Sequence, residues 1–162
     1  MVAYGNLTQI PLNSVYAGVA SLCRLCLCLF LGELNGMEVY ATDFGSAYLK
    51  SINNKKVCIM GGPKFGPLAS QLLIIYNALH GIWSSGKEFG DLHVVCLKED
   101  IGFTPSFTAE PQIFIRKSPH CDANELIGTH VDDLAIVMGD PEQALRQHNL
   151  PHTISNERDL AP

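Results

Sequence analysis

The chain reads as an α+β domain built on an antiparallel sheet, and three observations carry that reading. Two apolar runs, "ELIGTHV" and "LAIVMG", meet at the adjacent aspartates Asp132 and Asp133, the pattern of a hairpin. "MEVYATDF" alternates, is rich in aromatic and β-branched residues, and reads as a strand ending near Asp43. Residues 14–33 repeat apolar side chains at helical spacing. Helices mixed with short strands and a hairpin favour α+β over a doubly wound sheet.

In chain order, residues 1–12 lack periodicity and end at Pro11. A helix is expected over 14–33, with Val15, Val19, Leu22, Cys26, Leu29 and Phe30 on its core face and Gly36 as a left-handed C-cap. The strand to Asp43 follows, then "GSAYLKS" as a turn or short helix. "NNKK" reads as a polar turn, "VCIM" as a short strand and "GGPKFGP" as a loop. "LASQLLIIYNALHGIW" is apolar with no decisive period. "SSGKEFGDLHVVCLKEDIGF" reads as a helix, "TPSFTAEP" as a loop, "QIFIRK" as a strand and "SPHCDAN" as a turn before the hairpin. Asp140 as N-cap and Pro141 at the first position would open a further helix. The division expected is an N-terminal segment 1–12, a domain over 13–142 and a tail over 143–162.

Composition narrows the classes. A hydrophobic share of 47% with 17% charged residues permits a packed core and argues against bulk disorder. A net charge of −5 argues against a free-standing nucleic-acid binder, though not against a catalytic core that borrows basic surface from elsewhere. The stretch "VYAGVASLCRLCLCLFLGEL" has the length of a membrane span. Arg24 inside it, and Gly18, Ser21 and Gly32, favour a buried helix, so no membrane partner is expected. It also begins too far from Met1, without a basic flank, to read as a secretory signal. The six cysteines lack a second ligand pair at zinc spacing. They read as small apolar residues, with those of "CRLCLCLFL" on the buried helix, and unpaired thiols suit a reducing, intracellular setting.

The chemistry lies in the carboxylates. Asp43 at one strand end and Asp132-Asp133 at a hairpin tip converge if their strands are neighbours. Clustered carboxylates repel unless a cation neutralises them. Magnesium is held by one or two carboxylates together with substrate phosphates. A pair of such ions roughly 3.5–4 Å apart can clamp the attacking and leaving oxygens of a displacement. By itself a doubled aspartate reads as a solvated turn. A calcium loop of the Asp-x-Asp-x-Asp-Gly kind is absent from the sequence.

Several segments together resemble one family. "HVDDL" is similar to the Tyr-x-Asp-Asp box of reverse transcriptases. "DFGSAYL" resembles their first catalytic motif, an aspartate with an aromatic five residues on. "RLCLCLFLGELNGMEVYATDFGSAYL", "VCIMGGPKFG", "NALHGIWSSGKEF" and "IGFTPSFTAEPQIFIRK" resemble, in the same order, successive segments of copia-type retrotransposon polymerases. The resemblance spans residues 13–142 and implies a reverse-transcriptase palm with partial fingers, an antiparallel sheet carrying the catalytic hairpin packed on helices. It implies an RNA-directed DNA polymerase using Mg2+, or Mn2+, with Asp43 and Asp132 facing each other to bind both ions and Asp133 completing the carboxylate set, and with template-primer and deoxynucleoside triphosphates as partners. Tyr48 falls on the aromatic that gates the sugar, and Phe44 and Gly45 fall beside the triphosphate path. Read from the residue alone, Tyr48 is equally a core aromatic.

The departures shape the expectation. "MVAYGNLTQIPL" carries no Lys or Arg where the family has basic fingers residues. Ser84 replaces the glutamine that supports the nucleotide, and Trp83 replaces a lysine. His130 stands in place of the box tyrosine and reads as a packed strand histidine. A thumb, connection and ribonuclease H region do not fit in the residues after Gly139. The isolated chain is therefore expected to be weak or inactive. The alternative is an inactive retroelement remnant kept as a folded interaction or structural module.

Overall fold

A computed structural model describes residue 12 and residues 14–107 and 110–141. The expected tail and the helix opened by Asp140-Pro141 lie outside the described residues beyond Pro141. The chain forms two compact units: Met1–Tyr16 with Ser46–Phe89, and Ala17–Gly45 with Gly90–Pro162.

The larger unit is built on a five-stranded antiparallel sheet of order β1-β7-β6-β5-β4. The strands are β1 (Glu38–Asp43), β4 (Thr104–Phe107), β5 (Glu110–Lys117), β6 (Asn124–His130) and β7 (Asp133–Met138). Fold class, hairpin and the strand end at Asp43 match the expectation from sequence. β6 and β7 are buried along nearly their whole length, which is why they read as apolar runs rather than alternating ones. On one face Val137, Leu126 and Ile113 meet helix α1 (Leu22–Leu34) through Leu25, Cys28 and Leu31. On the other face Ile136, Ile127 and Phe114 form a cross-strand row.

α1 differs from its expected form in start and face. It begins at Leu22, not residue 14. Residues before it are extended: Val19 bridges to His130, and the Ala20 N–H donates to the Thr129 carbonyl at 2.9 Å. Gly18 and β-branched Val15 and Val19 are poor helix formers, and Ser21 occupies the N-cap. The buried residues of α1 are Cys28 and Gly32, whereas Leu22, Cys26, Leu29 and Phe30 of the expected core face are exposed. A helix apolar almost all round carries little signal of which side packs. Close approach decides instead. A Cβ on Gly32 would fall 2.3 Å from Val137 Cγ1, so only glycine lets the helix lie this near the sheet. The cysteines divide accordingly: Cys28 is buried, Cys23 and Cys26 are exposed, and all six are free thiols. α1 ends as expected, with Gly36 at φ +62°.

The smaller unit holds α2 (Ala47–Lys50), the two-stranded sheet of β2 (Ile52–Met60) and β3 (Leu72–Asn77), and a 3-10 segment Pro63–Leu68. "NNKK" is not a turn but part of β2, where the register slips between Ile52 and Val57. The side chains that suggested a turn serve the irregularity. Asn53 Oδ1 accepts the Lys55 N–H at 3.0 Å, and Glu88 Oε1 accepts the Asn54 N–H at 2.9 Å. Helix α3 (Ser85–Val95) starts in this unit and ends in the larger one, where it widens into a π-turn over Cys96–Asp100. "TPSF" is strand β4 rather than loop. Pro105 suggested the loop, but β4 is an edge strand, where a missing N–H is tolerated. Among the described residues no helix is long and apolar enough to cross a membrane.

Candidate functional site

β1 ends where β7 begins. Their register pairs Asp43 with Asp133, Thr42 with Leu134 and Ala41 with Ala135. Directly opposed residues share a face, so the Asp43 and Asp133 side chains stand together although 90 residues separate them along the chain. On its other side Asp133 pairs with His130 of β6. Asp43, Asp133 and His130 thus form one row across three strands.

The turn between β6 and β7 consists of Val131 and Asp132. φ is positive at Val131 (59°) and not at Asp132, in a two-residue hairpin loop. Glycine is the usual residue at that first position, and a β-branched side chain there is strained. Such strain clusters at functional sites. The turn is also tied to the chain leaving β1: the Phe44 N–H donates to the Asp132 carbonyl at 2.9 Å. Register on one side and this bond on the other hold Asp43 against the hairpin tip.

Beneath the row lies a cavity of about 590 Å³. Asp43, Asp133 and His130 line it together with Leu25 of α1. The next row on the same face is Ala41, Ala135 and Gly128, and these small residues leave the space. A Cβ on Gly128 would sit 2.3 Å from Leu25 Cδ2. The Thr42 hydroxyl, on the opposite face of β1, is buried without a hydrogen-bond partner among the described residues.

Of the three carboxylates expected to converge, Asp43 and Asp133 are register partners at the cavity, and Asp132 occupies the turn with its carbonyl engaged. Among the described residues no three His, Cys, Asp or Glu side chains form a metal-binding group. Phe44 is buried, and its ring meets His93 edge-on at 5.0 Å. Burial lowers the His93 pKa to about 4, so the ring is neutral near pH 7. His130, expected to pack, is exposed.

The other residues singled out from sequence belong to the smaller unit. Tyr48 is half-buried, with its ring 4.6 Å from that of His80 and 6.2 Å from that of Phe89. Ser84 is buried and its hydroxyl has no hydrogen-bond partner among the described residues. Trp83 beside it is exposed. Gly45 closes the larger unit's first segment, and Ser46 opens the next in a left-handed conformation (φ 58°, ψ 38°).

Sequence reasoning did not single out Ala41, Gly128 and Ala135 as cavity residues. The signal existed, since each lies two residues from a residue of the charged row and so on the same face. No family model, curated protein or solved structure matches the chain.

Proposed function

We propose that residues 13–142 are the palm and partial fingers of a copia-type RNA-directed DNA polymerase. The observation that supports the reading is that β1 ends against the hairpin tip: Asp43 is the register partner of Asp133, whereas Asp132, which the resemblance pairs with Asp43, stands next to it in the turn. Two carboxylates on adjacent strands at a cavity, with Asp132 next in the turn, fit a hard divalent cation that takes its remaining ligands from substrate phosphates and water. Magnesium or manganese held there supplies charge stabilisation for attack by a primer hydroxyl and departure of pyrophosphate. Asp43 and Asp133, with Asp132 beside them in the turn, would hold the cation; the triphosphate role of Phe44 and Gly45 and the sugar-gate role of Tyr48 rest on the resemblance alone.

A second reading, an inactive remnant kept as a folded module, is favoured by Ser84. Its buried, unpartnered hydroxyl stands where the family's glutamine supports the nucleotide. Primer extension on an RNA template with magnesium or manganese separates the two. The chain as given is expected to extend poorly, because phosphate neutralisation needs basic side chains and its net charge is −5. Residues 13–142 grafted into an intact copia-type polymerase should extend, and Asp43→Asn or Asp132→Asn should abolish extension. In that chimera Tyr48→Val should raise ribonucleotide use relative to deoxyribonucleotide. A folded chimera without extension would establish the remnant reading. An active chimera with unchanged sugar preference would return Tyr48 to a packing role.

A further inference from the structure

We infer that Asn35 is a site of spontaneous modification: the Gly36 backbone nitrogen displaces its side-chain amide, and the acidic product loosens the C-terminal end of α1. Asn35 is the one asparagine of the chain that precedes glycine. Both residues are exposed, in the short connection 35–37 that leads from α1 into β1. A following glycine presents the least hindered backbone nitrogen, because no Cβ shields it.

The reaction needs only water. The Gly36 nitrogen gives its proton to water or hydroxide and bonds to Asn35 Cγ. The Cγ–Nδ2 bond breaks, and the amide nitrogen leaves as ammonia with a proton from water. The five-membered succinimide then takes up one water molecule, which opens it at either carbonyl. One opening leaves aspartate. The other leaves isoaspartate, whose main chain runs through Cβ and is longer by a methylene.

The fold sets the pace. Asn35 has φ −97° and ψ 7°, and the Gly36 N–H donates to the Glu33 carbonyl at 3.1 Å. With ψ near zero the following nitrogen points away from the side chain, so attack waits for the last turn to open. Helix ends fray, and an exposed end opens at low free-energy cost.

The product does not restore the cap. Asn35 Nδ2 donates to the Leu31 carbonyl at 2.6 Å, and the Asn35 N–H donates to the same oxygen at 3.1 Å. A carboxylate has no hydrogen to give there, and it sets a negative charge at the negative end of the helix dipole. No basic residue stands in the last turn of α1, while exposed Glu33 and Glu38 flank the position in sequence. Isoaspartate also lengthens a tight path, in which Gly36 has φ +62° and the N–H of buried Met37 donates to the Gly32 carbonyl at 2.9 Å.

Ageing the full chain and mapping its peptides by mass tests this. Asn35 should lose its amide, with isoaspartate among the products. Conversion should be faster at mildly alkaline than at neutral pH, and faster still in urea, where no helix end holds the Gly36 N–H. The aged folded chain should melt roughly 2–4 °C lower, the shift expected of a helix-terminus defect in a chain of this size. Amide hydrogen exchange is a second readout and should quicken at Asn35, Gly36 and Met37. Asn35→Asp should melt lower than the wild type when fresh. Asn35→Gln, which would have to close a six-membered ring, should age without change at this position. The inference is overturned if the folded chain keeps the Asn35 amide over the time in which the urea-unfolded chain loses it. It is equally overturned if the converted chain melts and exchanges as the fresh one does.

Discussion

Val131 is a β-branched residue in the left-handed region, at the turn between Asp133 and the end of β6. That conformation costs an L-residue roughly 1–2 kcal/mol. Glycine avoids the cost but gives up about 0.5–1 kcal/mol of chain entropy. Val131→Gly should therefore raise stability by up to about 1 kcal/mol in urea unfolding. His93 sets a pH dependence. Its folded pKa of about 4 lies below the ordinary value of 6.5, so the unfolded chain binds the extra proton between the two. Its contribution is complete above pH 6.5 and is lost as pH falls toward 4. The loss approaches ~3 kcal/mol by the equivalence of pKa and free energy. Melting temperature measured over that window should drop, and His93→Phe should flatten the drop. Asp43 and Asp133 were legible in the sequence because Asp43 ends an alternating run and Asp133 stands between two apolar runs. Val131 was not legible, since residue type argues against the conformation it adopts.

At the scale of elements, two glycines in helices should respond in opposite directions. Gly90 in α3 has nothing within 4 Å of its would-be Cβ, so Gly90→Ala should stabilise by about 0.5–1 kcal/mol through helix propensity. Gly32→Ala meets Val137 and should instead destabilise by about 1–3 kcal/mol, the usual cost of overpacking. Denaturant melts of the two variants side by side check the packing of α1. Strands β5 and β6 are joined by a buried ion pair: Arg116 Nη2 lies 2.7 Å from Glu125 Oε2, and Glu125 is almost fully buried. Ser118 Oγ donates to Glu125 Oε1 at 3.1 Å, and Arg116 Nη1 donates to the Ile101 carbonyl at 2.6 Å. Arg116→Met strands the carboxylate and should cost about 3–5 kcal/mol, whereas adding Glu125→Met should recover much of it. The pair escaped the sequence reading because Glu125 and Arg116 face each other only once the β5–β6 register is known. The hairpin, β1 and the C-cap of α1 were legible because each has a local signature. β4 was hidden by Pro105, and the packed face of α1 by apolar residues on every side.

For the whole molecule, charge is segregated more sharply than the net value of −5 suggests. With five lysines in Ser46–Phe89, contact of that unit with a nucleic-acid duplex releases few counterions. The log–log salt slope of binding to an RNA–DNA duplex should be no steeper than about −4.5, at roughly 0.9 per neutralised phosphate. Fluorescence anisotropy across a salt series measures it. The same molecule has its two carboxylates in register only through β1 and β7, whose residues lie far apart in sequence. Contacts of such long sequence separation close late in folding. During synthesis, β1 leaves the ribosome well before β7 exists, and its edge stays open while Ser46–Phe89 and strands β4 to β6 are made. Asp43 thus waits for its partner until β7 is added. The carboxylate pair reports completed strand pairing: a chain halted between Asp43 and Asp133 has all of β1 and lacks the strand that brings the second carboxylate.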